Sequence, residues 1–373
     1  MIPIANPQVG EEEHEGVERV LESGQLADGE EVRRFEDEFA GFCGADHGVA
    51  TTNGTTALHA AFEALGVGGG DAVVTTPFSF VASANAIRLA GAEPVFADVD
   101  PTTFTLDPRE VERVVRERDD VAAILAVHLY GLPAEMDRLR EIADEHDLAL
   151  VEDAAQAHGA EYDRRRVGTL GDAACFSFYP TKNMTTGEGG MVTTDRADLA
   201  DRVARFADHG RVSGYEHAEV GHNFRMTSLC AAIGRAQLPK LVDWTIARRG
   251  NAAYLSKRLD DAGVVTPHEP PGSRHVYHQY TVRSDDRDGL RDHLEDAGVG
   301  TGVYYPTPIH RQPAYGGVDA DCPVAERAAE QVLSLPVHPG LSTDDLRRVA
   351  DAVEAYAPET NAEVAAETGR KSA

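Results

Sequence analysis

Three short stretches carry side chains whose types and positions could act together. FSFYPTKNMTTGEGG (176–190) places Lys182 between an apolar run and a Gly/Thr-rich segment. A lysine held in a pocket that lowers its pKa can form a Schiff base with an aldehyde, which an exposed, protonated lysine does poorly. LALVEDAAQAHG (148–159) ends an apolar run on Asp153. A carboxylate there needs donors or a cation, and a protonated pyridine nitrogen would serve. NGTTALHAAF (53–62) opens a helix with Asn-Gly-Thr, where free N–H groups, the helix dipole and a Thr hydroxyl attract phosphate.

Each stretch also has a bland alternative. Asn and Thr are ordinary helix caps, Asp153 could cap a helix or pair internally, and Lys182 could sit in a surface loop. Composition weakens the last of these. The chain has four lysines, at 182, 240, 257 and 371, and arginine supplies the rest of its 35 basic residues. Lys371 falls near the end, and Lys240 and Lys257 fall on helices that read as solvated. A phosphate cradle, an acid for a ring nitrogen and an amine for an aldehyde together match pyridoxal 5'-phosphate, whose ring is an electron sink.

The elements that must position these groups follow from hydrophobic patterning. Between 45 and 195 the apolar runs HGVAT, DAVVTT, EPVFADVD, VAAILAVH, LALVED and AACFSFY alternate with helix-like segments such as TALHAAFEALG and PAEMDRLREIADEH. Such alternation predicts an α/β domain with a mostly parallel sheet covered on both faces, over residues 1–238. Ligands then bind at the carboxyl ends of the strands, which selects 53–55, 77–80, Asp153 and 177–182. TTGEGG (185–190) reads as a flexible turn leading into a strand, GMVTT. From 239 to 357 a long helix through Trp244 and Tyr254, strand-like HVYHQYTVR and VGTGVYYP, and the helices GLRDHLEDAG and TDDLRRVADAVEAYA predict a smaller α+β domain. Residues 358–373 read as a disordered tail.

With 63 acidic and 35 basic residues the net charge is −28, which argues against nucleic acid or anionic membrane as a partner. The acid excess with so little lysine predicts a halophilic source, because molar salt shortens the Debye length to about 3 Å and relieves self-repulsion. The four cysteines form no CxxC pair and the 15 histidines no HExxH, so no metal site is expected. No signal-like or membrane-spanning apolar run is present, and a cytoplasmic protein is expected.

The stretches above, with PFSFVASANAI (77–87) and YYPTPIHRQPAY (304–315), resemble the DegT/DnrJ/StrS sugar aminotransferases in order from about residue 2 to 356. That resemblance implies the fold-type I architecture of enzymes dependent on pyridoxal 5'-phosphate. It implies that Lys182 is the Schiff-base lysine, that Asp153 partners the pyridine nitrogen and that Gln156 lies near the phenolic oxygen. Phe80 would stack on the ring, and Gly54, Thr55 and Ser177 would bind the phosphate. Asn223 would reach it from a neighbouring subunit, making the active unit a homodimer. Tyr305 and His310 would border a nucleotide-linked keto sugar, and glutamate would be the amino donor. Arg211 and Arg225 are candidates to face its diphosphate because arginine suits phosphate oxygens. Many members carry Ser where Asn53 stands. Members that dehydrate sugars carry His in place of the lysine, so Lys182 points away from dehydration. Amination of a cyclitol, and a regulator without turnover, are the other readings.

Overall fold

The computed structural model describes residues 1–356, and the expected tail lies outside the described residues. Seven strands form the main sheet: β1 (His47–Thr51), β2 (Ala72–Thr75), β3 (Glu93–Phe96), β4 (Val121–Val127), β5 (Ala149–Asp153), β6 (Ala173–Ser177) and β7 (Gly190–Thr194). Their spatial order is β1-β7-β6-β5-β4-β2-β3. All neighbours are parallel except those of β7, which runs antiparallel to both β1 and β6. Six of these strands were anticipated as the runs of a mostly parallel sheet and GMVTT as a further strand; β7 is reversed because the 178–189 connection carries no helix to cross back over the sheet.

Alternate residues of the central strands enter two different cores. Ile124, Ala126, Leu150, Ala174 and Phe176 face one layer with Phe35 and Phe39, while Leu125, Val151, Ala173 and Cys175 face the other with Leu58 and Phe62. Burial on both faces explains why these strands read as unbroken apolar runs. Phe35 and Phe39 belong to a helix, Glu30–Cys43, that lies before the segment the patterning addressed. Each buried ring contributes roughly 1.5–3 kcal/mol by leaving water.

A third core forms around Leu255, Tyr280, Val282, Leu290, Leu333 and Val349. It lies between the helices Leu241–Arg258, Arg287–Asp296 and Thr343–Glu354 and the antiparallel strands β8 (Tyr280–Arg283) and β9 (Val332–Leu335). Ile2 joins this core, and Ile309 and Tyr315 pack with Phe78, just after β2, and with Phe96 at the end of β3. Residues from before 239 and after it are thus found together in both of these cores.

Two expected strands differ. VGTGVYYP makes two isolated bridges, Val299 with Ile2 and Gly302 with Ser334, in place of a ladder. In HVYHQYTVR only the second half is a strand. The first half turns away because Val276 and Gln279 donate their N–H groups to the carbonyls of Gly131 and Tyr130, at 3.0 and 3.2 Å. Tyr277 takes φ 47° there, a left-handed conformation that ends the extended run.

Candidate active site

Because β1, β5 and β6 point the same way and β7 the opposite way, the ends of the first three and the start of the fourth lie on one sheet edge. Thr51 and Ser177 both pair with Gly190 in register. This brings the Asn53 turn against Ser177. A Cβ at Gly190 would lie 2.3 Å from the Asn53 carbonyl oxygen, and one at Gly54 would lie 2.8 Å from Ser177 Cβ. Both approaches need glycine.

Asn53 caps the helix Gly54–Leu65. Its Oδ1 accepts from Thr56 N at 3.0 Å, and Thr56 Oγ1 accepts from Asn53 N at 3.1 Å. The cap uses Thr56 N–H and leaves those of Gly54 and Thr55 without protein partners among the described residues. Ser177 Oγ is 3.4 Å from the position a Gly54 Cβ would take. Two unspent N–H groups, two hydroxyls and a helix N-terminus in this small space suit a phosphate.

Asp153, 5% exposed, ends β5. Ser83 Oγ donates to its Oδ2 at 2.7 Å and Ala155 N to its Oδ1 at 3.2 Å, which fixes the carboxylate while leaving acceptor capacity toward the cleft. Lys182 lies in the β6–β7 connection, tied by its N–H to Tyr179 O at 2.9 Å. Its side chain forms no ion pair among the described residues. Burial pushes its pKa down from 10.5 to about 8, and Asp153 pulls against that shift without cancelling it. TTGEGG, expected to be a flexible turn, is well anchored: Thr185 Oγ1 donates to Phe178 O at 2.8 Å and Thr186 Oγ1 to Glu188 O at 2.7 Å.

These groups share a cleft of about 720 Å³ with Phe80, Gln156, Tyr305 and His278. Phe80 is 55% exposed, with its ring 6.1 Å from that of Tyr305, so an apolar face is left open inside the cleft. Gln156 Oε1 accepts from Tyr130 N at 2.7 Å and its Nε2 donates to Tyr305 OH at 3.1 Å, which links the sheet edge to the 304–315 segment.

His278 was not anticipated. Its Nδ1 lies 3.3 Å from Asn183 Oδ1, next to Lys182, and burial together with the positive charge of Lys182 holds its pKa well below the ordinary histidine range. Reading HVYHQYTVR as one strand concealed it.

Four expected residues lie outside this cleft. His310 is 4% exposed, with Nε2 2.9 Å from Glu326 Oε1 and its ring against Phe96, so its expected place beside the sugar is not found within this chain. Asn223 is exposed on a segment bridged to Asp208. Arg225 pairs with Asp208, which also holds Arg211 at 3.3 Å, and both arginines line a separate groove of about 390 Å³.

Known proteins agree with this geometry. The family model described as the DegT/DnrJ/EryC1/StrS aminotransferase family matches residues 7–354. A pleiotropic regulatory protein from Geobacillus stearothermophilus is 42% identical over 91% of this chain and 93% of its own. The dTDP-3-amino-3,4,6-trideoxy-α-D-glucose transaminase of Streptomyces venezuelae is 43% identical over 91% of each chain. The crystal structure of S. venezuelae DesV superposes with a TM-score of 0.90 at 41% identity, covering 93% of this chain and 95% of that one. The chain belongs to the DegT/DnrJ/EryC1/StrS aminotransferase family.

Proposed function

We propose that the protein is a pyridoxal 5'-phosphate-dependent aminotransferase that moves an amino group from glutamate to a nucleotide-linked keto sugar, giving 2-oxoglutarate and an amino sugar. The observation that carries this reading is the convergence of Lys182, Asp153 and the Gly54, Thr55 and Ser177 cradle in one cleft. When bound, the cofactor supplies an electron sink for the carbon that loses its proton.

This chain's residues do the rest. The N–H groups of Gly54 and Thr55 and the hydroxyl of Ser177 bind the phosphate. Phe80 offers its exposed face to the ring, Gln156 borders the phenolic oxygen, and Asp153 keeps the ring nitrogen protonated. A charge-assisted bond of that kind is worth about 1.5–3 kcal/mol. Lys182 Nζ, with its pKa near 8, holds the aldehyde and, once released, accepts and returns a proton at the donor's α-carbon.

Tyr305 borders the acceptor. Asn223 is exposed outside its own cleft, which supports its reaching a second copy's phosphate in a homodimer, with Arg225 close by. His310 would serve substrate only if Glu326 released it. The acid-rich surface supports a halophilic setting. No helix among the described residues is long and apolar enough to cross a membrane, in keeping with a cytoplasmic enzyme.

Borohydride treatment of the purified protein with the cofactor should fix it to Lys182, detectable as a mass shift on that peptide alone. Glutamate added before the reductant should abolish the shift and release 2-oxoglutarate. A panel of dTDP- and UDP-linked keto sugars, 3-keto first given the product named for the S. venezuelae relative, should then yield an amino sugar by mass spectrometry.

The similarity to a pleiotropic regulatory protein favours a second reading, a regulator without turnover. A cofactor adduct on Lys182 with no 2-oxoglutarate from glutamate would select it.

A further inference from the structure

Behind Lys182, away from the main cleft, lies a second cavity of about 20 Å³. Its polar lining includes Arg248, Asn6, Gln8, Thr181 and Lys182, and no acidic residue takes part. Arg248 is 7% exposed on the helix Leu241–Arg258. Its Nη1 donates to the carbonyls of Tyr277 and His278 at 3.2 and 3.5 Å, while Nε is buried with no partner. The next residue behaves as arginines usually do, with Arg249 pairing with Glu269 at 2.7 Å. Arg248 has no ion pair among the described residues.

A buried guanidinium without a counter-charge is costly, and its unpartnered N–H adds to the cost. Lowering of the Arg248 pKa to about 10 by burial leaves it charged at neutral pH. Asn6 and Gln8 line the same cavity, and their side-chain amides lie close together, Gln8 Nε2 2.8 Å and Asn6 Nδ2 3.3 Å from where a Cβ on nearby Gly340 would stand. A water-sized occupant needs about 10–15 Å³, so the cavity has room for one such particle.

We propose that this cavity binds one halide ion, chloride being the ordinary occupant, against Arg248 and the Asn6 and Gln8 amides. The inference does not rest on the identity of the sugar acceptor or on the aminotransferase reading. It places a negative charge beside Lys182 and gives the buried arginine its counter-ion.

Trp244, the only tryptophan in the chain, lines the same cavity one helical turn before Arg248 and reports on it directly. The holoenzyme is titrated with potassium chloride against potassium gluconate at constant ionic strength, and Trp244 fluorescence is read. A saturable change with chloride and bromide, absent with gluconate and acetate, is expected. Arg248→Gln should weaken it by about tenfold to a hundredfold, the loss of one charge-assisted contact. A linear, non-saturating change, or equal responses to all four anions, overturns the proposal. Should Arg248→Gln fail to fold, wild-type crystals grown in bromide decide the matter. An anomalous peak within hydrogen-bond distance of Arg248 Nε supports the site, and water alone there refutes it.

Discussion

The titration of Lys182 is the property on which the proposed chemistry depends most, and its size follows from burial. Desolvation disfavours the charged ammonium, so the pKa falls from 10.5 to about 8, while Asp153 draws it back up. At pH 7 a group of pKa 8 is neutral in about one molecule in eleven, against about one in three thousand at pKa 10.5, a gain of roughly 300-fold. The apo-protein can be labelled with an amine-selective reagent from pH 6 to 11 and each lysine peptide quantified by mass spectrometry. Lys257, exposed on its helix, serves as the internal comparison. Labelling of Lys182 should show a midpoint near pH 8. Restricted access in the cleft lowers the plateau rate but leaves the midpoint unchanged. In Asp153→Asn the upward pull is gone, and the midpoint should fall below that of the wild type. A wild-type midpoint near 10, or a rise in Asp153→Asn, would refute the burial argument.

Other substitutions separate cofactor binding, acceptor binding and folding. Gly54→Ala puts a methyl group 2.8 Å from Ser177 Cβ, so cofactor affinity measured by equilibrium dialysis should drop at least about tenfold while the midpoint of Lys182 labelling stays in place. Tyr305→Phe removes the hydroxyl that accepts from Gln156; KM for the sugar should rise while the glutamate half-reaction keeps its rate. Glu152 accepts from Leu170 N, Gly171 N, Gly168 N and His128 Nε2 at 2.8 to 3.1 Å. Glu152→Gln turns one oxygen into a donor facing two donors, and urea unfolding should show a loss of about 3–6 kcal/mol. His158, packed against Phe39, Phe176 and Phe178, is held by burial at a pKa of about 3, so below pH 6.5 the unfolded chain takes up a proton that the folded one refuses. Stability from this group is full above pH 6.5 and falls by up to about 1.4 kcal/mol per unit below it. In His158→Phe the fall between pH 6.5 and 4 should be shallower by that amount.

The site's central groups were legible because they obey a one-dimensional rule: Gly54, Asp153, Ser177 and Lys182 each follow an apolar run, and parallel strands bring such positions to one edge. His278 broke no such pattern. The turn at Tyr277 that delivers it depends on carbonyls of Tyr130 and Gly131, far away in the chain, and local periodicity carries no trace of them. The surroundings of His310 escaped the sequence for a related reason, since Glu326, its partner sixteen residues on, holds the ring in a packed interior. Asn223 rested on resemblance and Arg225 on arginine's fit to phosphate oxygens, and a single chain leaves both outside the cleft.

Glu152 and Asp153 show how far strand alternation could have gone. Adjacent residues of a strand face opposite sides of the sheet, so only one of the pair can serve a site at its edge. Apolar neighbours on both faces left no pattern to say which one. The deciding information is chemical: Glu152 meets three backbone N–H groups from the Gly168–Gly171 turn and the proton of His128 Nε2, whose Nδ1 is occupied as acceptor from Ala134 N at 3.1 Å. All four of its main acceptor positions are filled, which makes it a brace for the β5–β6 connection. Asp153 receives two donors and keeps capacity to spare, and a carboxylate with spare capacity facing a cleft is the one that can hold a ligand's proton.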